Sequence, residues 1–233
     1  MTNSQDVAAT TSTSIHAHHG EAQPALVLVN LGTPTAPEPG PVRAFLREFL
    51  SDRRVIEMSP LLWKPILEGI ILRVRPREVA AKYRSIWMEE GSPLMHYTRE
   101  QARRLGERLP GVRVEVAMRY GQPSIGSVLD RLNAEGVRRV AILPAYPQYA
   151  ASTVATINDA VASWIGRNRD GFELRLHRSF PAAPAYIEAL ATALERHWEQ
   201  VGRPNFLTGD RVVVSFHSIP VAMDEAGDPY RAE

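Results

Sequence analysis

From Gly111 onward the chain alternates between short apolar runs and amphipathic stretches of helical period. Few architectures accept that order other than parallel strands joined by crossover helices. The pattern predicts strands over 112–118, 140–143, 172–177 and 211–216, with helices over 124–135, 152–167 and 183–200 between them. Upstream, Ala25-Leu26-Val27-Leu28-Val29-Asn30-Leu31 is nearly all apolar and stops at Gly32-Thr33-Pro34. A strand buried on both faces stops in this way at its C-terminal loop. Helices are predicted near 41–50, 60–73, 77–87 and 97–109, with Pro41, Pro60 and Pro76 at helix starts and Pro65 marking a kink. The expected fold class is α/β, a doubly wound parallel sheet.

Residues 1–24, rich in Thr, Ser, Ala and His, carry no helical or strand period and are expected to form a disordered tail. His16, His18 and His19 lie in it, but three imidazoles without ligands on a rigid element are weak evidence for a metal site. The main domain is expected over 25–205, and 206–233 reads as the start of a second, similar domain, because too few residues follow the last strand to complete a sheet. With 44% hydrophobic residues the chain can bury a substantial core. Its 27 Lys and Arg balance 26 Asp and Glu, which gives generic nucleic-acid binding little electrostatic support. The absence of cysteine excludes disulfides, thiolate zinc sites and an iron–sulfur cluster held by these residues, and is compatible with a reducing cytoplasm. No apolar run reaches membrane-spanning length and no secretory signal pattern opens the chain, so a cytoplasmic protein is expected, with at most a peripheral membrane contact.

In open parallel sheets, ligands bind in the crevice beyond the C-terminal strand ends. The segments there are Leu31-Gly32-Thr33-Pro34, Arg119-Tyr120-Gly121, Pro144-Ala145-Tyr146-Pro147-Gln148-Tyr149 and His217-Ser218-Ile219-Pro220. The first is not the Gly-x-Gly-x-x-Gly turn of dinucleotide sites, and neither a phosphate-binding Gly-x-x-x-x-Gly-Lys loop nor a Gly-x-Ser-x-Gly elbow occurs. A strand-end histidine, several tyrosines and loop-edge arginines suit a large, flat, mostly apolar ligand with a few anionic groups. Aromatic faces line such a ligand and guanidinium forks pair with its carboxylates.

Five segments in order carry a resemblance: Asn30-Leu31-Gly32-Thr33-Pro34, the 49–55 run Phe-Leu-Ser-Asp-Arg-Arg-Val, the 87–94 run Trp-Met-Glu-Glu-Gly-Ser-Pro-Leu, the Tyr-Pro-Gln-Tyr of 146–149, and Ser215-Phe216-His217-Ser218-Ile219-Pro220 followed by Gly227-Asp228-Pro229-Tyr230. From about residue 25 to its last residue, the chain resembles the ferrochelatases. The resemblance implies a Rossmann-like fold of the chelatase type and insertion of ferrous iron into protoporphyrin IX to make protoheme. It implies no cofactor beyond the ferrous iron substrate, and no nucleotide.

By that resemblance His217 is the catalytic histidine, accepting pyrrole protons, contacting the entering metal, or both. A neutral imidazole offers one lone pair for either role. Arg75, Tyr83, Ser92, Arg119, Tyr120 and Tyr149 match positions that the family uses around the porphyrin. The residues alone leave other readings open: a structural histidine, a solvated helix face with Tyr83 packed inward, and prolines that only shape the 146–149 turn. The apolar stretch 61–72 is similar to the family's lip at the pocket mouth and is expected to touch a membrane, although such a stripe also suits core packing. Ser218 and Ala150 depart from common family residues. Leu31 stands where members acting on coproporphyrin tend to carry tyrosine, which favours protoporphyrin. The family's glutamate-containing second catalytic segment and closing helix are not in this sequence, so the chain is expected to be an inactive N-terminal portion. Alternatives are a non-catalytic porphyrin- or heme-binding module and a cobalt or nickel chelatase acting on another tetrapyrrole.

Overall fold

The computed structural model describes residues 23–233. The expected tail, with its three histidines, lies almost wholly outside them. Four parallel strands, β1 (Ala25–Gly32), β2 (Arg113–Tyr120), β3 (Arg139–Pro144) and β4 (Glu173–Leu176), form one sheet in the order β2-β1-β3-β4. Helices flank it, as the α/β reading requires.

The helices on one face are α5 (Ile125–Ala134) and α6 (Thr156–Arg167). Strand alternation points Ala25, Val27 and Val29 of β1 toward them, and Val128, Leu129, Leu132, Val161 and Trp164 close the core. Trp164 is 1% exposed, stacks on Phe172 at 4.9 Å and donates its indole N–H to Asp130 at 2.7 Å. Burying the largest side chain together with its polar handle satisfied is what makes this face cohesive. Helix α4 (Pro93–Arg108) lies along β1 and β2. A second apolar cluster joins α1 (Pro39–Leu50) to α3 (Leu72–Ile86) through Val42, Phe45, Leu46, Leu72 and Ala80.

Three local expectations are corrected. Pro76 does not start a helix. Helix α2 (Pro60–Ile66) passes through a π-helical turn, Leu67–Ile71, straight into α3, and Pro76 lies inside α3. The wide turn takes up the irregularity that Pro65 introduces, and burial of Leu72, Pro76 and Ala80 at four-residue spacing offsets the hydrogen bond that Pro76 cannot make. Arg119 and Tyr120 are not in a loop after β2 but are its last two residues, because Tyr120 pairs in register with Gly32. Finally, 211–216 is not a strand. Among the described residues nothing supplies it a ladder, and Val213 and Phe216 stand 86% and 67% exposed.

Helix α7 (Pro184–Val201) buries no residue. After the exposed stretch 202–220 the chain returns to the sheet through α8 (Val221–Glu225) and a 3-10 turn, Pro229–Arg231. Met223 is buried, Asp228 accepts the Ala151 N–H at 2.7 Å, and Glu233 accepts the Tyr149 N–H at 2.9 Å.

Candidate functional site

The strand order reverses between β1 and β3, so the connections leaving their C-terminal ends run to opposite sides and leave a crevice between them. A cavity of about 370 Å³ lies there. Leu31 from the end of β1, Phe49 and Val55 around the end of α1, and Tyr146 after β3 line it. Ser152 and Thr153 of a second π-helical turn, Ala151–Ala155, and Ile219, Met223 and Tyr230 of the returning segment complete it, with His217. The walls are mainly apolar, with few polar groups, as in sites for large hydrophobic ligands.

Gly32 makes the β1 exit possible. Its φ is +119°, and a Cβ there would sit 1.9 Å from the Tyr120 carbonyl oxygen. Only glycine lets the two strand ends approach so closely. Just beyond, Thr33 donates from its hydroxyl to Ser92 Oγ at 2.8 Å, fastening the exit of β1 to the start of α4.

His217 is exposed on its loop side, and its Nδ1 lies 2.6 Å from the Ser218 carbonyl oxygen. A carbonyl only accepts, so Nδ1 carries hydrogen and the neutral ring keeps its lone pair on Nε2. Tyr146 lines the same cavity, and its hydroxyl, buried beneath the wall, has no hydrogen-bond partner. Burial pushes its pKa up, and the nearby Tyr120 adds to the shift, so the phenol stays protonated as a donor without an acceptor. A buried polar group left this way is costly unless something else completes it.

Of the sequence-derived candidates, only His217 lines this cavity. Tyr149 lies in the adjoining loop, its ring beneath the Arg178 guanidinium at 4.9 Å. Arg75 is exposed on α3. Tyr83 packs edge-on against Phe45 and Trp87, and burial raises its pKa. Ser92 is buried under the Thr33 bond. Arg119 and Tyr120 converge on Asp52: Arg119 Nη2 reaches Asp52 Oδ2 at 2.5 Å and the Tyr120 hydroxyl donates to the same oxygen at 2.9 Å. Tyr120 is fully buried and its pKa is raised by that burial.

Sequence reasoning quoted Asp52 and Tyr146 within motifs but assigned neither a role. An aspartate between Ser51 and two arginines reads as a surface turn, and its partners lie 67 and 104 residues away. Among the described residues no group of three or more His, Asp or Glu side chains is arranged to hold a metal ion. No described helix is long and apolar enough to cross a membrane. Leu61, Leu62, Ile66 and Ile70 of the apolar stretch are exposed, while Leu67 and Leu72 are buried.

Comparison with known proteins agrees with the resemblance. A family model described as ferrochelatase matches residues 23–233. The chain is 48% identical over 222 residues to a ferrochelatase of Methylibium petroleiphilum, covering 94% of this chain and 60% of that protein. It is 47% identical over 210 residues to ferrochelatase 1 of Shewanella oneidensis, covering 88% of this chain and 61% of that protein. It is also 47% identical over 221 residues to a ferrochelatase of an Azoarcus species, covering 94% and 60% of the two chains. The chain thus spans about 60% of the length of the curated relatives it matches.

Proposed function

The chain belongs to the ferrochelatase family, and on that premise we propose that it forms the His217-bearing part of an enzyme that inserts ferrous iron into protoporphyrin IX, a lyase step of heme synthesis, with His217 as the proton acceptor. The observation that carries the reading is that His217 and Tyr146 line one mainly apolar cavity.

Insertion exchanges two pyrrole N–H protons for one ferrous ion, with no change of oxidation state and no nucleotide or resident cofactor. In a flat free base those protons occupy the hole the metal enters. Binding energy that favours a bent macrocycle exposes the nitrogen lone pairs and so assists the reaction. His217 Nε2, its tautomer set by the Ser218 carbonyl, takes a departing proton, and the Tyr146 ring adds an aromatic wall for the macrocycle. Leu31 gives the β1 exit an apolar wall, which favours protoporphyrin over coproporphyrin. Arg75, exposed on α3, suits a carboxylate at the pocket margin. Tyr149 belongs to the loop bordering the cavity, while Tyr83, Ser92, Arg119 and Tyr120 shape its surroundings. The exposed apolar residues of α2 and the following turn provide a peripheral membrane contact, in a cytoplasmic setting without nucleic-acid partners. The second unit beginning near 206 remains part of this proposal.

Absorbance titration with protoporphyrin, with and without ferrous iron, tests the reading. Porphyrin binding is expected of these residues and metallation only once the family's second catalytic segment is joined to them; in that completed protein His217→Ala is expected to bind porphyrin within about threefold of wild type while losing metallation by on the order of a hundredfold or more. Normal turnover by His217→Ala would remove the histidine from the mechanism. Binding without metallation by the completed protein would favour the carrier reading.

A further inference from the structure

The carboxylate of Asp52 takes more donors than any other side chain near the site. Oδ2 accepts from Arg119 Nη2, from the Tyr120 hydroxyl and from Thr156 Oγ1, while Oδ1 accepts the Arg54 N–H at 2.8 Å. Arg119 reinforces the junction, its Nε donating to the Thr156 carbonyl at 2.9 Å and to Thr156 Oγ1 at 2.6 Å. The pair is largely shielded, with side chains 8% and 19% exposed for Asp52 and Arg119.

These donors come from three elements that meet at the cavity. Asp52 follows α1 and lies between Phe49 and Val55, both lining residues. Thr156 opens α6 directly after the turn bearing Ser152 and Thr153, also lining residues. Tyr120 ends β2 and packs edge-on against Phe49 at 5.1 Å. Each element has its own apolar support, α1 in one core cluster and α6 in the other. What the carboxylate adds is their relative placement. Arg54 and Asp159 span the same junction, but that pair is about half exposed and contributes little.

We propose that Asp52 is a positioning residue: by gathering Arg119, Tyr120 and Thr156 it sets the cavity wall formed by Phe49, Val55, Ser152 and Thr153. The inference rests on the reading that this cavity receives the porphyrin. Asp52 touches no ligand itself; it acts through the wall.

The test uses the full chain. Asp52→Asn keeps an acceptor for the Arg54 N–H but loses the charge facing Arg119 and turns an NH2 toward donors. Protoporphyrin affinity is expected to fall on the order of tenfold, and the absorption maximum at saturating porphyrin to shift. Lowered stability alone does not produce that shift. Arg119→Gln is expected to have a similar effect, and the double variant to be no worse than either single one, because all three remove one device. If Asp52→Asn folds poorly, Asp52→Glu keeps the charge but displaces it by a methylene, and an affinity loss of about threefold is expected.

Wild-type affinity and an unshifted spectrum in the folded variants, or independent addition of the two losses, overturns the proposal. If the unaltered chain binds no porphyrin, the site reading fails instead, and hydrogen exchange without ligand decides for Asp52. Exchange in 119–121 and 150–157 is then expected to quicken in Asp52→Asn while β1 and β3 keep wild-type protection. Unchanged exchange in those segments overturns the inference.

Discussion

Helices α6 and α7 are both amphipathic, yet they hold the molecule together to different degrees. Helix α6 buries Thr156, Ile157, Val161 and Trp164 beside α5 and β2, whereas α7 buries nothing and leaves Ile187 and Leu190 each about half exposed. The same periodicity therefore yields cohesion only where a complementary apolar surface meets it. The difference runs through the site. Phe49, Val55, Ser152 and Thr153 belong to the cohesive side, while His217 follows an exposed stretch fastened by Met223, Asp228 and Glu233.

The sharpest way to break this contrast is Trp164→Ala. It removes the Phe172 stacking and orphans Asp130, and is expected to cost about 3–5 kcal/mol in urea unfolding. A loss of a few tenths would mean that the α6 side is not the anchor. Acid provides the next probe. Burial pushes the Asp52 carboxyl up, but hydrogen bonds from Thr156, the Arg54 N–H and Tyr120, with the Arg119 charge, outweigh it and hold the pKa below the ordinary value. A lowered folded pKa means that the stabilisation is fully present above the unfolded carboxylate pKa and is lost as pH falls through the folded one. Unfolding free energy should therefore drop over that acid window in the wild type, with a shallower drop in Asp52→Asn; parallel curves would deny the carboxylate this role.

On the looser side, Asp228→Ala removes the acceptor for the Ala151 N–H and is expected to cost about 1–2 kcal/mol. Limited proteolysis within 205–220 should quicken, and an unchanged cleavage rate would show that the returning segment is held by other contacts. The smallest effect is expected from Leu190→Ala, within about 0.5 kcal/mol, because the side chain is already half exposed. A loss comparable to that of Trp164→Ala would erase the contrast between the two helices.

The legibility of the sequence follows the same divide. β1, α5 and α6 were readable because alternation or helical spacing was strong and the surface that completes each lies within the described fold. The 211–216 run has equally strong strand chemistry but no ladder among the described residues, and it stands exposed. Local propensity cannot say whether a partner is at hand. Pro76 misled for a related reason, since burial of one face of α3 carried the helix through it. At the site, His217 was legible from its place after an apolar run within a family motif. Tyr146 and Asp52 were not singled out, because an unpartnered hydroxyl and a carboxylate with four donors exist only once distant segments meet.

The residue order by itself determined the α/β class, the parallel crossover pattern and the kinship of the chain, since these rest on periodicity and on short motifs carried in line. The tertiary structure decided which side chains share a cavity. It placed His217 and Tyr146 on one cavity and drew Arg119 and Tyr120 onto Asp52. The physical reason is range: periodicity is a property of neighbouring residues, whereas burial and the pairing of a buried charge depend on groups tens of residues apart, which only the folded chain brings within a few ångströms.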